Sequence, residues 1–172
     1  MFCPNKEEML CDAHFFDRPL QSGKSTAIAR YLVGRPEAPG GFRTHWDRAG
    51  GRLTLELLET GETLSVATLE PHRVRADRAA SAAAGDRLPS APAGARPLRL
   101  HDAPRHLERC SPVFQRAVFT LLDGPTPVLG VLRRHAKSPF WGPVSRRADV
   151  RLLPLTVENR AEIPTELARL LG

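Results

Sequence analysis

The sequence predicts an α/β protein in which a mostly parallel central sheet is flanked by helices. Two observations carry this prediction. The apolar pair Phe15 and Phe16 leads through a tight turn into a helix, and the continuous apolar run 127–132 follows an amphipathic helix. Parallel strands need a crossover connection, which is usually a helix, so strands alternating with helices indicate a parallel sheet. Alternating apolar and polar residues between 42 and 68 add a small antiparallel meander after the first helix.

The N-terminal half contains the first helix and the meander. The first helix should end near Gly34, since Pro36 forbids its continuation. Turns then separate three candidate strands, Phe42–Trp46, Arg52–Leu58 and Leu64–Thr68. Residues from about 71 to 97 are rich in Ala, Pro and Arg and poor in large apolar side chains. We interpret them as a flexible excursion, with at most a turn or two of helix.

The C-terminal half has the clearest patterning. Leu98–Asp102 is a short apolar run that ends in a carboxylate. Ser111 and Pro112 predict a helix start, with the serine as N-cap. The elements expected after that helix are a buried parallel strand at 127–132, a short helix toward Arg146, a strand at 149–155 and a closing helix that begins near Pro164. We therefore expect residues 1–172 to form a single domain.

The stretch from His14 to Thr26 has the layout of a P-loop, in which a strand, a phosphate-binding turn and a helix follow one another. Gly23 lets the backbone approach a phosphate, Lys24 brings a positive charge to the β- and γ-phosphates, and the Ser25 hydroxyl can ligate Mg²⁺. Arg18 departs from the usual G-x-x-x-x-G-K-[ST] pattern because it stands at the first glycine. The expected nucleotide-binding residues are Pro19, Leu20, Gln21, Ser22, Gly23, Lys24, Ser25 and Thr26.

Two further positions suit phosphate chemistry. Asp102 ends a short strand, where a Walker B aspartate helps to hold Mg²⁺ through its water shell. Arg133 and Arg134 follow the strand 127–132 and could stabilise charge on a transferring phosphoryl group. Each has a simpler interpretation, as a surface-turn aspartate and as a solvated basic loop.

Composition limits the other classes of function. There is no membrane-length apolar run and no secretory leader, and the three scattered cysteines argue against a disulfide framework. A reducing cytoplasm is the expected compartment. The formal charge is +6, but the arginines are spread along the chain without interleaved aromatics. We therefore expect no membrane and no dedicated nucleic-acid surface.

Taken together, these residues resemble the small P-loop nucleoside-triphosphatase family first associated with thermophiles. The strongest part is Ser111–Leu171, including Pro127–Gly130 and the Ile163–Leu167 segment. Gly23–Thr26 is similar to the family's P-loop, and Gly40–Thr44 to its strand after the first helix. The resemblance leaves a gap over about 71–97. It implies a mostly parallel sheet flanked by helices and Mg²⁺-dependent hydrolysis of ATP, GTP and other nucleoside triphosphates.

Matching positions imply roles for individual residues. The resemblance gives Lys24 and Ser25 phosphate and Mg²⁺ contacts, and gives Asp102 a magnesium role through water. The family usually has a glutamate directly after that aspartate to orient the attacking water, whereas this chain has Ala103. Glu108 matches a second acidic position and could substitute in part, with a surface charge as the alternative. Binding could therefore survive while hydrolysis is slow or lost.

Three functions remain open from the sequence. The first is nucleotide binding with weak hydrolysis, carried by Lys24, Asp102, Glu108 and Arg133. The second is a catalytically inactive P-loop protein that acts as a regulatory or interaction module, which Arg18 favours because it could occupy the phosphate cradle. The third is a nucleotide or small-molecule kinase, although no acceptor base is evident. The sequence does not define the preferred base or the oligomeric state.

Overall fold

The computed structural model describes residues 13–17, 24–33, 35–47, 49–71, 73–88, 99–102, 111–132 and 141–171, with the backbone alone at 17, 24, 25, 99–102 and 141. The strands in these ranges are β1 (Ala13–Asp17), β2 (Gly40–Asp47), β3 (Arg52–Leu57), β4 (Thr63–Glu70), β5 (Arg73–Ala76), β6 (Arg99–Asp102), β7 (Val128–Leu132) and β8 (Val150–Pro154). The helices are α1 (Lys24–Leu32), α2 (Arg78–Arg87), α3 (Pro112–Leu122), α4 (Trp141–Ser145) and α5 (Ile163–Leu171).

The eight described strands form one sheet in the order β5-β4-β3-β2-β6-β7-β1-β8. The strands β2, β6, β7, β1 and β8 pair in parallel. The other three extend the sheet past β2 through antiparallel pairs. The predicted α/β class, the mostly parallel sheet and the antiparallel meander after the first helix are thus confirmed.

The meander differs from the prediction in two ways. It has a fourth strand, β5, which pairs antiparallel with β4. It is also continuous with the parallel strands, because β2 pairs with β3 on one side and with β6 on the other. Gly51 has a φ of 61° in the turn between β2 and β3, and Gly61 has a φ of 70° in the next turn, which explains glycine at both sites.

The segment 71–97 corrects another expectation. Its first part forms β5 and the ten-residue helix α2, whereas we expected a flexible excursion with at most a turn or two of helix. The Asp77 side chain caps α2 by accepting from the Ala80 N–H at 2.9 Å. Gly85 approaches the backbone of α3 so closely that a Cβ would lie 2.7 Å from the Phe114 nitrogen. Small residues thus serve close helix packing, and residues 89–98 lie outside the described ranges.

Helices cover the two faces of the parallel part of the sheet. On one face, Phe114 of α3 packs edge-to-face against Phe42 of β2, with ring centroids 5.3 Å apart. On the other face, α1 and α5 pack on the sheet; the buried members of that cluster are Phe16, Ala27, Ile28, Tyr31, Leu129, Leu153, Leu155, Ile163 and Leu167. Residues two apart in a strand share a face, so this division assigns each strand position to the α1 face or the α3 face.

The C-terminal elements agree closely with the sequence. Ser111 is the N-cap of α3, and its hydroxyl accepts from the Phe114 N–H at 3.2 Å. The apolar run 127–132 contains the largely buried strand β7, which lies between β6 and β1. The short helix, the following strand and the closing helix appear as α4, β8 and α5, each within a few residues of its expected bounds.

Candidate functional site

The ends of β1, β6 and β7 define the candidate site. The three strands run parallel, so their C-terminal ends meet at one edge of the sheet. Asp17 pairs with Leu132, and Asp102 pairs with Val131, the residue before it. With strands about 4.8 Å apart, the ends of β1 and β6 lie roughly 10 Å from each other across β7. Ligands of open α/β sheets bind at this kind of edge.

Helix α1 begins close after β1. Lys24 and Ser25 are its first two residues, and the six residues 18–23 connect them to Asp17. Thr26 is exposed in the same turn, which has no acidic side chain to compensate the positive end of the helix dipole. The strand and the helix start expected of a P-loop are therefore both present, with six residues of the chain between them. The first-turn N–H groups of such a helix attract an anion.

The apolar stripe of α1 fixes the helix against the sheet. Ala27, Ile28 and Tyr31 are buried, whereas Ala29 and Arg30 on the outer side are exposed. The stripe packs against Phe16 of β1 and Leu129 of β7, within the α1-face cluster. The start of the helix is thereby held near the strand ends, and this position depends on ordinary core packing.

The predicted site residues fall into two groups. The fold brings the backbone positions of Lys24, Ser25, Thr26 and Asp102 to the same edge of the sheet. The remaining predicted residues lie outside the described ranges: Pro19, Leu20, Gln21, Ser22, Gly23, Glu108 and Arg133. Arg133 directly follows Leu132 in sequence, and Leu132 ends β7 between the other two strands.

A polar cluster on β2 and β3 lies beside this edge and was not predicted from the sequence. Arg43 donates from Nε to Glu56 at 2.7 Å and from Nη2 at 3.2 Å. The Nε2 atom of His45 lies 3.2 Å from the same carboxylate oxygen that the Arg43 Nε contacts. The Arg43 hydrogen bond is the main cause that lowers the pKa of Glu56. Glu56 is therefore a carboxylate held by two partners.

The register of the strands places the cluster. Phe42 pairs with His101, so the next residue, Arg43, lies beside Asp102. Phe42 belongs to the α3-face core, so Arg43 and His45 lie on the opposite face, the one on which α1 packs. Asp102 is level with Val131, which packs in the α1-face cluster. Only cross-strand register could have found this arrangement, since Glu56 and His45 are distant in sequence.

A cavity of about 460 Å³ lies elsewhere, between β4, β5 and the start of α2. It is lined by Ser65, Ala67, Thr68, Arg75, Ala76, Asp77 and Arg78. Four strands separate β4 from β1 in the sheet. The cavity is therefore remote from the strand ends and is not part of the candidate site.

Comparison with known proteins agrees with this geometry. A family model described as NTPase matches residues 106–168. This match spans less than half of the chain, so the chain is similar to that family over its C-terminal part. The matched range runs from just before α3 into α5 and includes β7, whereas the expected phosphate loop lies outside it.

Two solved structures of nucleoside-triphosphatase type share the fold. The solution structure of a human cancer-related nucleoside triphosphatase has a TM-score of 0.74 and 23% identity, over 94% of this chain and 97% of that chain. The crystal structure of THEP1 from the hyperthermophile Aquifex aeolicus has a TM-score of 0.74 and 17% identity, over 94% of this chain and 99% of that chain. A comparison with curated proteins gives no significant match.

The described residues also bear on membrane-spanning helices and metal centres. None of the helices in the described ranges has the length and apolar character to cross a membrane. In the same ranges, no three His, Cys, Asp or Glu residues group together as metal ligands would.

Proposed function

We propose that the chain binds nucleoside triphosphates at the edge formed by β1, β6 and β7, and hydrolyses ATP or GTP to the diphosphate and phosphate. One observation carries the proposal: Lys24, Ser25 and Thr26 open α1, which six residues separate from the end of β1, at the edge where Asp102 ends β6. The family-model match over residues 106–168 and the shared fold support nucleotide binding in general.

The candidate residues have different roles in phosphate binding and hydrolysis. The first-turn N–H groups of α1 and the Lys24 ammonium bind the β- and γ-phosphates. Arg133, next after β7, can take up charge that develops on the transferring phosphoryl group. Glu108 is a further acidic candidate, on the basis of the sequence alone. The same N–H groups and the Lys24 ammonium keep the diphosphate bound when the γ-phosphoryl group leaves. They therefore contact the phosphates on both sides of the bond that breaks.

The donor set also fits Mg²⁺. The Ser25 hydroxyl and the Asp102 carboxylate are hard oxygen donors, and the fold brings both residue positions to one edge. Ser25 would hold the ion directly and Asp102 through water. When bound, Mg²⁺ neutralises charge on the β- and γ-phosphates.

We further propose the reducing cytoplasm as the compartment, on the basis of the sparse cysteines.

Calorimetry with ATP or GTP and Mg²⁺ tests the proposal, with Lys24→Ala as the variant. We expect the parent to bind and the variant to lose at least about 100-fold in affinity, because a charge-assisted phosphate contact disappears. Arg30→Ala is the matched control: it removes one cation from the exposed side of the same helix, and its affinity should stay within threefold of the parent. If the parent does not bind either nucleotide, the proposal is wrong.

Phosphate release on the same samples separates the functions. Release by the parent and loss in Lys24→Ala supports the hydrolase. The second candidate is an inactive P-loop module, favoured by Ala103, which cannot hold or deprotonate a water molecule; binding without phosphate release would support it. A kinase would instead consume nucleotide only when an acceptor is added.

A further inference from the structure

The chain needs a group that holds the attacking water, and Ala103, directly after Asp102, supplies none. In nucleoside-triphosphate hydrolysis a positioned side chain orients this water. Among the described polar side chains, those nearest to Asp102 in the register are on β2, the neighbouring strand. To hold the water, the cluster of Arg43, Glu56 and His45 must offer an atom that can accept a hydrogen bond from it.

Glu56 is itself a poor acceptor for a water molecule. Its Oε2 accepts from the Nε of Arg43 and contacts His45, and its Oε1 accepts from the Nη2 of Arg43. Its side chain is 22% exposed, and the Arg43 contact stabilises the charged form. A carboxylate held in this way is a weak base that is already committed to partners. Glu56 is better suited to orient a neighbour.

His45 is that neighbour. Its Nε2 faces a carboxylate oxygen, which can only accept, so this contact places the ring proton on Nε2 and leaves Nδ1 as an acceptor. The side chain is 54% exposed, so water can reach it. This is the arrangement of a base whose orientation and tautomer are set by a carboxylate.

The position of His45 matches the task. It lies two residues beyond Arg43, which continues the register beside Asp102, and so its Cα is about 8 Å from that of Asp102. It lies within β2, beyond the level of Asp102, on the face of the sheet that carries α1, the helix that begins with Lys24. An imidazole that hydrogen-bonds one water molecule can span the distance between the Cα atoms of His45 and Asp102.

We propose that His45, oriented by Glu56, positions the attacking water in place of the side chain that Ala103 lacks. The water oxygen forms a bond to the γ-phosphorus, and the bond from that phosphorus to the bridging oxygen breaks. The bridging oxygen leaves with the electron pair on the diphosphate. The water proton passes to Nδ1 of His45 and from there to solvent. This inference rests on the proposed hydrolase function.

The test compares kcat, nucleotide affinity and transition-state-analogue affinity for the parent and three variants. His45→Ala should lower kcat by about 100-fold, a usual contribution of a positioned base, and leave the Kd of ATP within threefold. Glu56→Gln should lower kcat by roughly tenfold, because the amide can direct the imidazole into the wrong tautomer. Glu70→Gln is the matched control: its carboxylate accepts from the Arg73 Nε at 2.7 Å, on β4 away from the site.

Binding of ADP with aluminium fluoride gives a readout that does not depend on turnover. A water-positioning group should strengthen the transition-state analogue and not ADP alone. His45→Ala should therefore weaken the aluminium fluoride complex about 100-fold while the Kd of ADP stays unchanged, and added imidazole should restore part of the lost kcat.

The outcomes distinguish this inference from the proposed function. If the parent hydrolyses and His45→Ala retains kcat within threefold, the inference is wrong and the hydrolase stands. If the parent binds nucleotide and releases no phosphate, the inference also fails, while the binding site remains. If the parent fails to bind and Lys24→Ala behaves identically, both fall together. A loss of kcat in Glu70→Gln equal to that in Glu56→Gln would mean a general effect of the sheet, and would overturn the assignment.

Discussion

Arg147 joins three parts of the chain at the sheet edge opposite the candidate site. It lies between α4 and β8, and its guanidinium contacts Asp149 at 2.8 and 2.6 Å through Nε and Nη2. Nη1 donates to Asp123, the C-cap of α3, at 2.7 Å. The Arg147 side chain is only 24% exposed. One side chain therefore ties the end of α3 to the start of β8.

We predict that Arg147→Ala lowers the free energy of unfolding by about 1 to 2 kcal/mol, since it removes charge-assisted hydrogen bonds from a partly buried network. Urea unfolding measures the change. Arg116→Ala on the exposed side of α3 is the control, and it should stay within about 0.5 kcal/mol of the parent. An equal loss in both variants would contradict a specific role for Arg147.

The same network has a pH signature. The Arg147 hydrogen bonds hold the pKa of Asp149 below its usual value. A depressed carboxyl pKa contributes stability that is fully present above the unfolded value of about 3.9 and is lost as pH falls through the folded value. The stability difference between the parent and Arg147→Ala should therefore be constant near pH 7 and shrink below about pH 4.

At this scale the sequence predicted what local motifs encode. The N-cap Ser111 was predicted correctly because the cap and its proline are adjacent. Lys24 and Ser25 could be proposed as site residues because a P-loop motif is contiguous. The Arg43, Glu56 and His45 cluster was missed because its members meet only through the pairing of β2 with β3. Register between strands depends on the whole sheet, and no short pattern carries it.

Helices α2 and α3 approach each other closely at Gly85. At Gly85, a Cβ would lie 2.7 Å from the Phe114 nitrogen, 2.8 Å from its Cα and 2.9 Å from the Val113 carbonyl carbon. These are backbone atoms in the first turn of α3, so they cannot move aside as a flexible side chain would. The helix pair must separate if this glycine gains a side chain.

We predict that Gly85→Ala destabilises the protein, although alanine favours a helix by about 1 kcal/mol over glycine. Overpacking against backbone typically costs about 1 to 3 kcal/mol, so we expect a net loss of about 1 to 2 kcal/mol in chemical unfolding. Ala82→Gly in the same helix is the control, with the propensity loss of about 1 kcal/mol alone. A stabilised Gly85→Ala would contradict the close packing.

The sequence predicted the helices that have a distinct apolar stripe and missed the one that has none. Helix α3 carries large apolar residues at helical spacing, and its buried face was evident. Helix α2 is mostly alanine, glycine and arginine, so its composition resembled that of a linker. Helix α2 packs in the fold because its residues are small, which lets its backbone approach that of α3.

Ligand binding couples the candidate site to the stability of the whole molecule. The expected loop follows β1, which lies between β7 and β8, and it opens α1, which packs with α5. A nucleotide bound at this junction is held only when these elements are assembled. It should therefore stabilise the folded chain and not the unfolded one.

We predict that a non-hydrolysable triphosphate with Mg²⁺, at about 100 times its Kd, raises the free energy of unfolding by about 2.7 kcal/mol. Thermal unfolding at rising nucleotide concentration measures this effect as a shift in Tm. Lys24→Ala should show no shift over the same range, and Arg30→Ala should behave as the parent does. A parent Tm that is independent of nucleotide would contradict binding to the folded state.

The order of strands in the sheet was not predictable from the sequence, although the fold class was. Helices that alternate with apolar runs indicate parallel strands, but the insertion of β6 and β7 between β2 and β1 depends on contacts that are distant in the chain. For the same reason, the continuity of the meander with the parallel strands became evident only in the structure.

This strand order also bears on how the protein is made. Strand β1 is synthesised early, yet its partners β7 and β8 follow more than a hundred residues later, since Ala13 pairs with Val128 and Val150. The hairpins β2 to β5 need only nearby residues and can form first on the ribosome. Strand β1 must therefore wait until β7 and β8 have been synthesised, with Phe15 and Phe16 uncovered until then. Shielding by a chaperone would matter most during that interval.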